Sequence, residues 1–315
     1  MEVYMSSFSL KILATILMII DHLAYFWYDF FPLWFRWLGC ASAPIFIFCL
    51  VHSYDKTHSK AKLMIRLYLF SVCMAVINII LMCLGYIIAG DTVASIDLRS
   101  FNFFSTLFLI SLIIRILETE RIRRKVILLV CLAIWQIVCS IFLTYIAYMP
   151  LPWFEWSQSG ILSLFVQLLS SITGNILWTE GSVLIVLFGV LLYYAKENKY
   201  SLILLLGGFS LFYFLYSLTD WNWYIINTVL EASDAFTGSE NFRDLIERTF
   251  EIAQLASSGH GIESLFFTDY KWMMIEVLPI ILTYNGKRGK PFKYAFYWFY
   301  PFHIYLIWGI RLLFD

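Results

Sequence analysis

Long apolar segments, separated by short polar ones, follow each other along almost the whole chain. They lie at about 10–30, 33–53, 64–89, 102–118, 126–148, 181–195, 200–218, 266–284 and 294–314. A helix that crosses a bilayer needs about 20 apolar residues, and most of these segments approach that length. The pattern predicts an all-α, polytopic membrane protein with about nine transmembrane helices.

One further apolar segment, residues 161–172, is short and interrupted by Ser163, Gln167 and Ser170. This pattern favours a re-entrant or interfacial helix instead of a tenth crossing. Clusters of Lys and Arg follow the second, fourth, sixth and eighth apolar segments. With nine crossings and a cytoplasmic N-terminus, all four clusters lie on the cytoplasmic side, as the positive-inside rule requires. The C-terminus is then expected to be external.

The longest polar stretch, at about 219–270, is predicted to be an external loop insertion within a single domain of residues 1–315. Inside it, the run from Thr237 to Glu240 has the form of a capping box, which begins a helix. Apolar residues then recur at helical spacing from Phe242 to Ala253, and Gly259 can end the helix. We expect an external amphipathic helix here, either as a lid on the membrane surface or as a site that recognises an acceptor.

Composition agrees with a membrane location. Apolar residues make up 61% of the chain and charged residues only 14%, and the mean hydropathy is +0.77. A soluble chain of this length could not bury so much apolar surface in one core. The six cysteines lie in apolar segments without ligand spacing, so we expect small buried side chains and not a disulfide or zinc framework. The first apolar segment lacks a signal-peptide cleavage site and is expected to remain in the mature protein.

Asp21 and His22 lie within the first apolar segment, where an ionisable group is costly unless it faces a partner or a wet cavity. On a helix, His22 shares one stripe with Lys11, Thr15 and Met18, whereas Asp21 points to the side. This stripe is roughly 16 Å long at 1.5 Å per residue. We interpret it as a polar track from one membrane face to a buried imidazole, with Asp21 as a partner for another helix.

A second histidine, His303, lies in the last apolar segment. Pro301 lacks a backbone donor, so we expect a helix kink just before this histidine, and Tyr300 shares its face. An imidazole titrates near neutrality, so it can take a proton from an attacking amine or hydroxyl and return it to a leaving group. The alternative for either histidine is a structural, hydrogen-bonded residue.

Other charged positions have simpler explanations. Arg36 and Glu180 lie near the ends of apolar segments, where snorkelling to the headgroups would explain them. The glycine-flanked cytoplasmic loop at 285–290 contains Lys287 and Arg288 and is either a topology determinant or a clamp for an anion such as the phosphates of a nucleotide cofactor. The sequence has no phosphate-binding glycine loop, no metal motif and no basic, aromatic surface for nucleic acid.

Several motifs together resemble the TraX family. They are Leu10-Lys11-Ile12 with Met18-Ile19-Ile20-Asp21-His22, Arg36-Trp37-Leu38-Gly39 with Ala43-Pro44-Ile45-Phe46, Asn102-Phe103-Phe104-Ser105-Thr106, Leu278-Pro279 with Tyr284-Asn285-Gly286-Lys287-Arg288-Gly289, and Phe299-Tyr300-Pro301-Phe302-His303. The motifs near the C-terminus are the most specific. The resemblance covers most of the chain except residues 219–265.

This resemblance implies a transmembrane acyltransferase of the bacterial cytoplasmic membrane, similar to the enzyme that acetylates the N-terminus of conjugative pilin. Such an enzyme would move acetyl from cytosolic acetyl-CoA to a peptide N-terminus or a glycan across the bilayer. The resemblance also implies that His22 is the general base, that His303 is a second site histidine, and that Asp21 orients them or holds the helix pair.

The resemblance further implies which residues meet the donor. Lys11, Lys287 and Arg288 would contact CoA phosphates. Asn102 and Tyr300 would line the site and could donate hydrogen bonds to the developing oxyanion, the interaction that usually contributes most to acyl transfer.

Two positions depart from the family pattern. Cys40 stands where the family usually has a second Arg, and His52 lies near the position of an acidic residue. A non-catalytic membrane scaffold of the same family therefore stays open. A proton-coupled transporter is another alternative, although such proteins usually show broken helices in matching halves, and the prolines here show no such symmetry.

Overall fold

The computed structural model describes residues 4–89, 98, 101–148, 161–219, 221–237, 243, 246–249, 261–290 and 292–314. Over these residues the fold is all-helical, as predicted, with one isolated β-bridge between Met5 and Tyr284. The helices are α1 (Ser7–Phe26), α2 (Trp34–Gly39), α3 (Ser42–Asp55), α4 (Lys60–Ala89), α5 (Phe103–Leu117), α6 (Ile122–Tyr148), α7 (Ile161–Thr173), α8 (Ser182–Ala195), α9 (Lys199–Leu218), α10 (Trp221–Thr237), α11 (Ile262–Phe267), a 3-10 helix (Tyr270–Glu276), α12 (Val277–Leu282) and α13 (Lys293–Phe314).

Five stretches of the described chain are long and apolar enough to cross a membrane. They are α1, the α2–α3 pair (Trp34–Asp55), most of α4 (Lys60–Ile88), most of α6 (Ile122–Ala147) and α9. α5, α7 and α8 are also apolar but contain shorter runs of 10–17 residues. The chain is therefore a multi-pass membrane protein, whereas the predicted count of nine crossings is not confirmed.

The predicted apolar segment at 266–284 is not one helix. α11 ends at Phe267, the 3-10 helix follows, and α12 begins at Val277. Pro279 explains this new start, because proline has no backbone donor and fits the first turn of a helix, where no intrahelical donor is required.

The chain forms two compact units within the predicted single domain of residues 1–315. The first contains Met1–His58, Phe188–Thr219 and Ser258–Asp315, and the second contains Ser59–Leu187 and Asp220–Ser257. In the first unit, α1 packs against α2, α3 and α13. In the second unit, α4 packs against α5 and α7, and α6 packs against α7.

The start and the last turn of α1 are fixed by small side chains. The hydroxyl of Ser6 accepts a hydrogen bond from the backbone N–H of Ser9 at 3.2 Å, as an N-cap serine does. Gly39 of α2 lies directly against Asp21, because a Cβ at this position would overlap the Asp21 side chain. Glycine therefore allows α2 to approach α1 at the turn that carries Asp21 and His22.

An irregular stretch follows α7 in the second unit. Gly174 and Gly181 begin and end it with φ angles of 62° and 96°, which other residues rarely adopt. Backbone groups outside helices need protein partners where water is excluded. Gln136 of α6 supplies two of them, since its Nε2 donates to the Gly174 carbonyl at 2.8 Å and its Oε1 accepts from Ile176 N–H at 2.8 Å. A short helix is thus present at the predicted place, and its re-entrant placement stays a prediction.

The predicted external loop contains a helix that the sequence analysis missed. α10 runs from Trp221 to Thr237, so Thr237 ends a helix, whereas the capping-box interpretation had it begin one. Polar residues such as Asn227 and Glu231 interrupt the apolar run by which the other helices were recognised. The amphipathic helix predicted from Phe242 to Ala253, with its end at Gly259, lies largely outside the described residues.

The expectation that all six cysteines are buried was wrong. All six thiols are free, but only Cys49 and Cys139 are buried, while Cys73 and Cys131 are exposed on α4 and α6. Large apolar side chains such as Ile134 are exposed on the same helices. Outward-facing apolar residues suit helices that contact hydrocarbon, so an apolar segment in such a chain does not imply burial inside the protein.

Candidate functional site

Two histidines from helices distant in sequence meet inside the first unit. Nδ1 of His22 on α1 lies 2.8 Å from Nε2 of His303 on α13. The two ring planes are nearly parallel, with an interplanar angle of 3° and centroids 4.9 Å apart. Each residue is only 4% exposed. The structure therefore brings both sequence-predicted site histidines into one buried, hydrogen-bonded pair.

The partner of the second ring nitrogen determines the tautomers of both histidines. Nδ1 of His303 lies 2.9 Å from the carbonyl oxygen of Phe299. A carbonyl can only accept, so Nδ1 of His303 carries the hydrogen, and Nε2 of the neutral ring is an acceptor. Nδ1–H of His22 must then donate to it. In the neutral pair, Nε2 of His22 is consequently the nitrogen with the lone pair, which is the atom a general base uses.

The two histidines lie at different places along their helices. His22 is four residues before Phe26, where α1 ends, whereas His303 lies midway along the 22-residue α13. α13 continues as one helix through Pro301, and the ring of Phe299 stacks on His303 with an interplanar angle of 7°. His22 therefore lies near the C-terminal end of α1, because the helix ends before the predicted apolar segment does.

The carboxylate of Asp21 forms an ion pair with Arg36 of α2. This agrees with the prediction that Asp21 is a partner for another helix, and it leaves the carboxylate facing Arg36 instead of orienting the histidines. Its Oδ1 lies 2.7 Å from Nη1 of Arg36, and both side chains are 23% exposed. Nε of the same guanidinium donates to the Tyr270 hydroxyl at 2.9 Å. The snorkelling interpretation of Arg36 was therefore wrong, because the guanidinium is held between two protein groups.

Tyr270 was missed by sequence reasoning, and Arg36 was misassigned. A carboxylate inside an apolar helix requires a partner, and this requirement could have indicated the nearest cation on the next helix. No comparable signal identifies Tyr270, which lies 234 positions from Arg36 in the sequence.

The predicted polar stripe of α1 is present, but its side chains are packed against the protein. Thr15, Met18 and His22 are buried on one face. The Thr15 hydroxyl donates back to the Lys11 carbonyl at 2.7 Å, and the Lys11 ammonium lies 5.7 Å from the centroid of the Phe296 ring. The stripe is thus a packed helix face with a cation at one end and an imidazole near the other.

The basic loop at 285–290 lies at the Lys11 end of α1. The backbone N–H groups of Ser7 and Phe8 donate to the carbonyls of Lys287 and Arg288 at 2.9 and 3.1 Å. Gly289 has a φ of 74°, and a Cβ there would come within 2.6 Å of the Ser6 hydroxyl. The loop therefore closes tightly over the start of α1 while the residues that carry its basic side chains remain exposed.

Tyr300 belongs to the same neighbourhood as the histidine pair. It is buried, and its ring centroid lies 5.9 Å from that of His303. Its predicted place beside the second histidine agrees with the geometry of α13.

Asn102 belongs to the second unit and is engaged there. Its Nδ2 donates to the Ser71 carbonyl at 3.0 Å and to the Ser171 hydroxyl at 2.9 Å. Because both amide hydrogens are used, a further contact of this side chain would accept a hydrogen bond through Oδ1. The predicted role of Asn102 as a donor to an oxyanion does not agree with this arrangement.

Glu180 also differs from expectation. Its Oε2 accepts from the backbone N–H of Asn102 at 2.9 Å, and its carbonyl accepts from the Thr106 hydroxyl at 2.5 Å. A carboxylate at the start of α5 is stabilised by the helix dipole, so the side chain does not snorkel.

The comparisons with known proteins agree with the resemblance over part of the chain. Residues 6–158 match the model of the TraX family, described as TraX protein. The matched stretch contains Lys11, Asp21, His22 and Asn102, whereas the C-terminal motifs with His303 lie outside it. No curated protein and no solved structure matches the chain.

Proposed function

We propose that this chain, whose residues 6–158 match the model of the TraX family, is a membrane-embedded acetyltransferase. The donor is cytosolic acetyl-CoA, and the acceptor is an amine or hydroxyl of a peptide N-terminus or a glycan, at the membrane or on its external side. The proposed orientation has nine crossings in a bacterial plasma membrane with the N-terminus in the cytoplasm. The observation that carries the proposal is the buried histidine pair in which Nε2 of His22 is the basic nitrogen.

The donor would bind at the Lys11 end of α1. Lys11, Lys287 and Arg288 contribute three positive charges there, and cations of this kind bind phosphates through charge-assisted hydrogen bonds. His22 is 11 residues from Lys11 on α1, which is about 16 Å at 1.5 Å per residue. CoA has a long, flexible pantetheine arm between its phosphates and its thioester, so one donor molecule can contact both places.

The chemical step needs one base and one charge-stabilising group. The acceptor nitrogen or oxygen attacks the acetyl carbonyl while Nε2 of His22 takes its proton. The carbon–sulfur bond then breaks, and the proton passes from His22 to the CoA sulfur. His303 holds His22 in the required tautomer through the Nδ1–H bond. Tyr300, beside His303, is the candidate donor to the oxyanion, and Asp21 holds its own turn of α1 through the ion pair with Arg36.

The same geometry argues against the transporter alternative. A chain of groups that conducts protons must continue on both sides of the histidine pair. On the His303 side, the hydrogen bonds end at the Phe299 carbonyl, which has no proton to pass on. An arrangement that ends in this way is suited to fixing a tautomer. It does not favour conduction of protons along the pair.

Donor binding tests the proposal directly. We expect the purified protein in detergent to bind acetyl-CoA in the micromolar range by calorimetry, with CoA measured beside it. His22→Ala should bind acetyl-CoA with nearly the same affinity, because the phosphates are recognised at the other end of α1, but should lose acetyl transfer. His58→Ala, which removes an exposed histidine, is the matched control.

Absence of binding to a well-folded sample would contradict the proposal and favour a non-catalytic scaffold. Full transfer activity in His22→Ala would remove His22 from the mechanism.

A further inference from the structure

The guanidinium of Arg36 joins two separate parts of the first unit. One edge, at Nη1, contacts Asp21 Oδ1 at 2.7 Å and the Asp21 carbonyl at 3.4 Å. Another edge, at Nε, donates to the Tyr270 hydroxyl at 2.9 Å. The aromatic rings of Tyr25 and Tyr270 lie 5.2 and 5.9 Å from the guanidinium carbon. A planar group with donors on several edges can make both bonds at once, whereas a lysine ammonium is a single point of contact.

The first attachment lies on the turn that carries His22. α1 ends only four residues after His22, and the last turn of a helix is the part that frays most readily. Asp21 is held there from the side by Arg36 and by the close approach of Gly39. Fixing Asp21 therefore fixes the backbone from which the His22 side chain reaches His303.

The second attachment lies on a segment that is itself well anchored. The Ser217 hydroxyl of α9 donates to the carbonyl of Asp269, directly before Tyr270, at 2.7 Å. Nε1 of Trp272 donates to the Leu265 carbonyl of α11 at 2.8 Å. Cys40 also donates weakly to the Tyr270 carbonyl, at 3.6 Å. The 3-10 helix is thus tied to α2, α9 and α11.

We propose that Arg36 and Tyr270 are positioning residues for His22. Arg36 connects the turn of α1 that carries Asp21 and His22 to the anchored 3-10 helix and thereby holds His22 at hydrogen-bonding distance from His303. In the orientation proposed above, the 3-10 helix lies toward the external side, where the acceptor would arrive. The expected effect on kcat rests on the proposed function. The expected effect on the His22 tautomer rests on the geometry of the histidine pair alone.

Two conservative substitutions separate the attachments. Arg36→Lys can keep the charge pair with Asp21 but cannot also reach Tyr270, and Tyr270→Phe removes only the hydroxyl. We expect each to lower kcat about tenfold, as loss of one hydrogen bond to a charged group does, with KM for acetyl-CoA changed less than about twofold. The double variant should be no slower than either single variant, because all three lack the same bond.

The tautomer of His22 provides a readout that does not depend on activity. Nitrogen-15 spectra of histidine-labelled protein should show His22 protonated at Nδ1 in the wild type and a mixture of tautomers in Arg36→Lys and Tyr270→Phe. Trp37→Phe is the control, because Trp37 donates from the same helix to the Phe266 carbonyl at 2.9 Å, a hydrogen bond in which the Arg36 guanidinium takes no part. It should leave the His22 spectrum unchanged.

Unchanged His22 spectra in both variants, or independent and multiplicative losses of kcat, would overturn the positioning role. A wild-type protein without any turnover of acetyl-CoA would instead refute the proposed function, and the spectra would still decide the role of Arg36 and Tyr270.

Discussion

Replacing His303 with phenylalanine isolates one hydrogen bond of the histidine pair. Phenylalanine keeps a planar ring of similar size beside His22 and Phe299, whose ring centroids lie 4.9 and 5.2 Å from that of His303. It removes Nε2, which accepts from Nδ1–H of His22 at 2.8 Å. We expect His303→Phe to fold and insert like the wild type but to lose most of its acetyl transfer.

The size of this loss follows from the burial of His22. The residue is 4% exposed, so water cannot replace the lost acceptor at Nδ1. An unsatisfied buried donor costs about 1–3 kcal/mol, and His22 can escape this cost only by moving its hydrogen to Nε2, the nitrogen required as base. In either case the free-energy barrier to acetyl transfer rises by about 1–3 kcal/mol. Since about 1.4 kcal/mol corresponds to a tenfold change in rate, kcat should fall about 5- to 150-fold.

The assay is release of CoA from acetyl-CoA in native membranes, with the unfolding temperature of each purified variant as the control for folding. His303→Gln is the matched variant, because its side-chain oxygen can accept from Nδ1–H of His22 while its amide nitrogen can donate to the Phe299 carbonyl. It should retain more activity than His303→Phe. Full activity in His303→Phe, or equal losses in the two variants, would refute the tautomer argument.

Two further predictions concern the ends of α1. Lys287→Ala together with Arg288→Ala should weaken acetyl-CoA binding about tenfold or more and make the remaining affinity less sensitive to salt, because fewer cations meet the phosphates. Calorimetry at two salt concentrations measures both effects, and Arg123→Ala with Arg124→Ala on α6 is the charge-matched control. Inverted insertion of the double variant would identify the loop as a topology signal only. Gly39→Ala should lower the free energy of unfolding by about 1–3 kcal/mol, because the added Cβ overlaps Asp21. Gly208→Ala is the control and should leave this free energy unchanged, because a Cβ there meets nothing within 4 Å. Equal shifts of the unfolding temperature in the two variants would contradict the close approach of α1 and α2.

Much of the candidate site could be predicted because ionisable residues are rare in apolar segments. His22 and His303 were singled out for this reason, and His303 also for its place after Pro301, and the structure joins them. The tautomers of the two histidines could not be predicted. They depend on the Phe299 carbonyl, four residues before His303, which accepts a hydrogen bond from the His303 side chain. Arg36 was misassigned because sequence position near a segment end does not reveal whether a side chain turns toward the headgroups or toward a neighbouring helix.

The fold was predictable where single helices have long apolar runs and unpredictable where structure depends on neighbours. α1, α4, α6 and α9 follow directly from such runs. The irregular stretch between α7 and α8 depends on hydrogen bonds from Gln136, and these partners are distant in sequence. α10 was missed because its pattern mixes polar and apolar residues, and a capping signal at its end suggested the start of a different helix.

The central claim is that His22 acts as the base in acetyl transfer, and loss of the acetyl-CoA thioester in native membranes tests it most directly. The wild type and His58→Ala should consume acetyl-CoA at the same rate. His22→Ala should bind acetyl-CoA with nearly unchanged affinity and consume none of it. Equal rates in His22→Ala and the wild type, or no consumption by a wild type that binds the donor, would contradict the account.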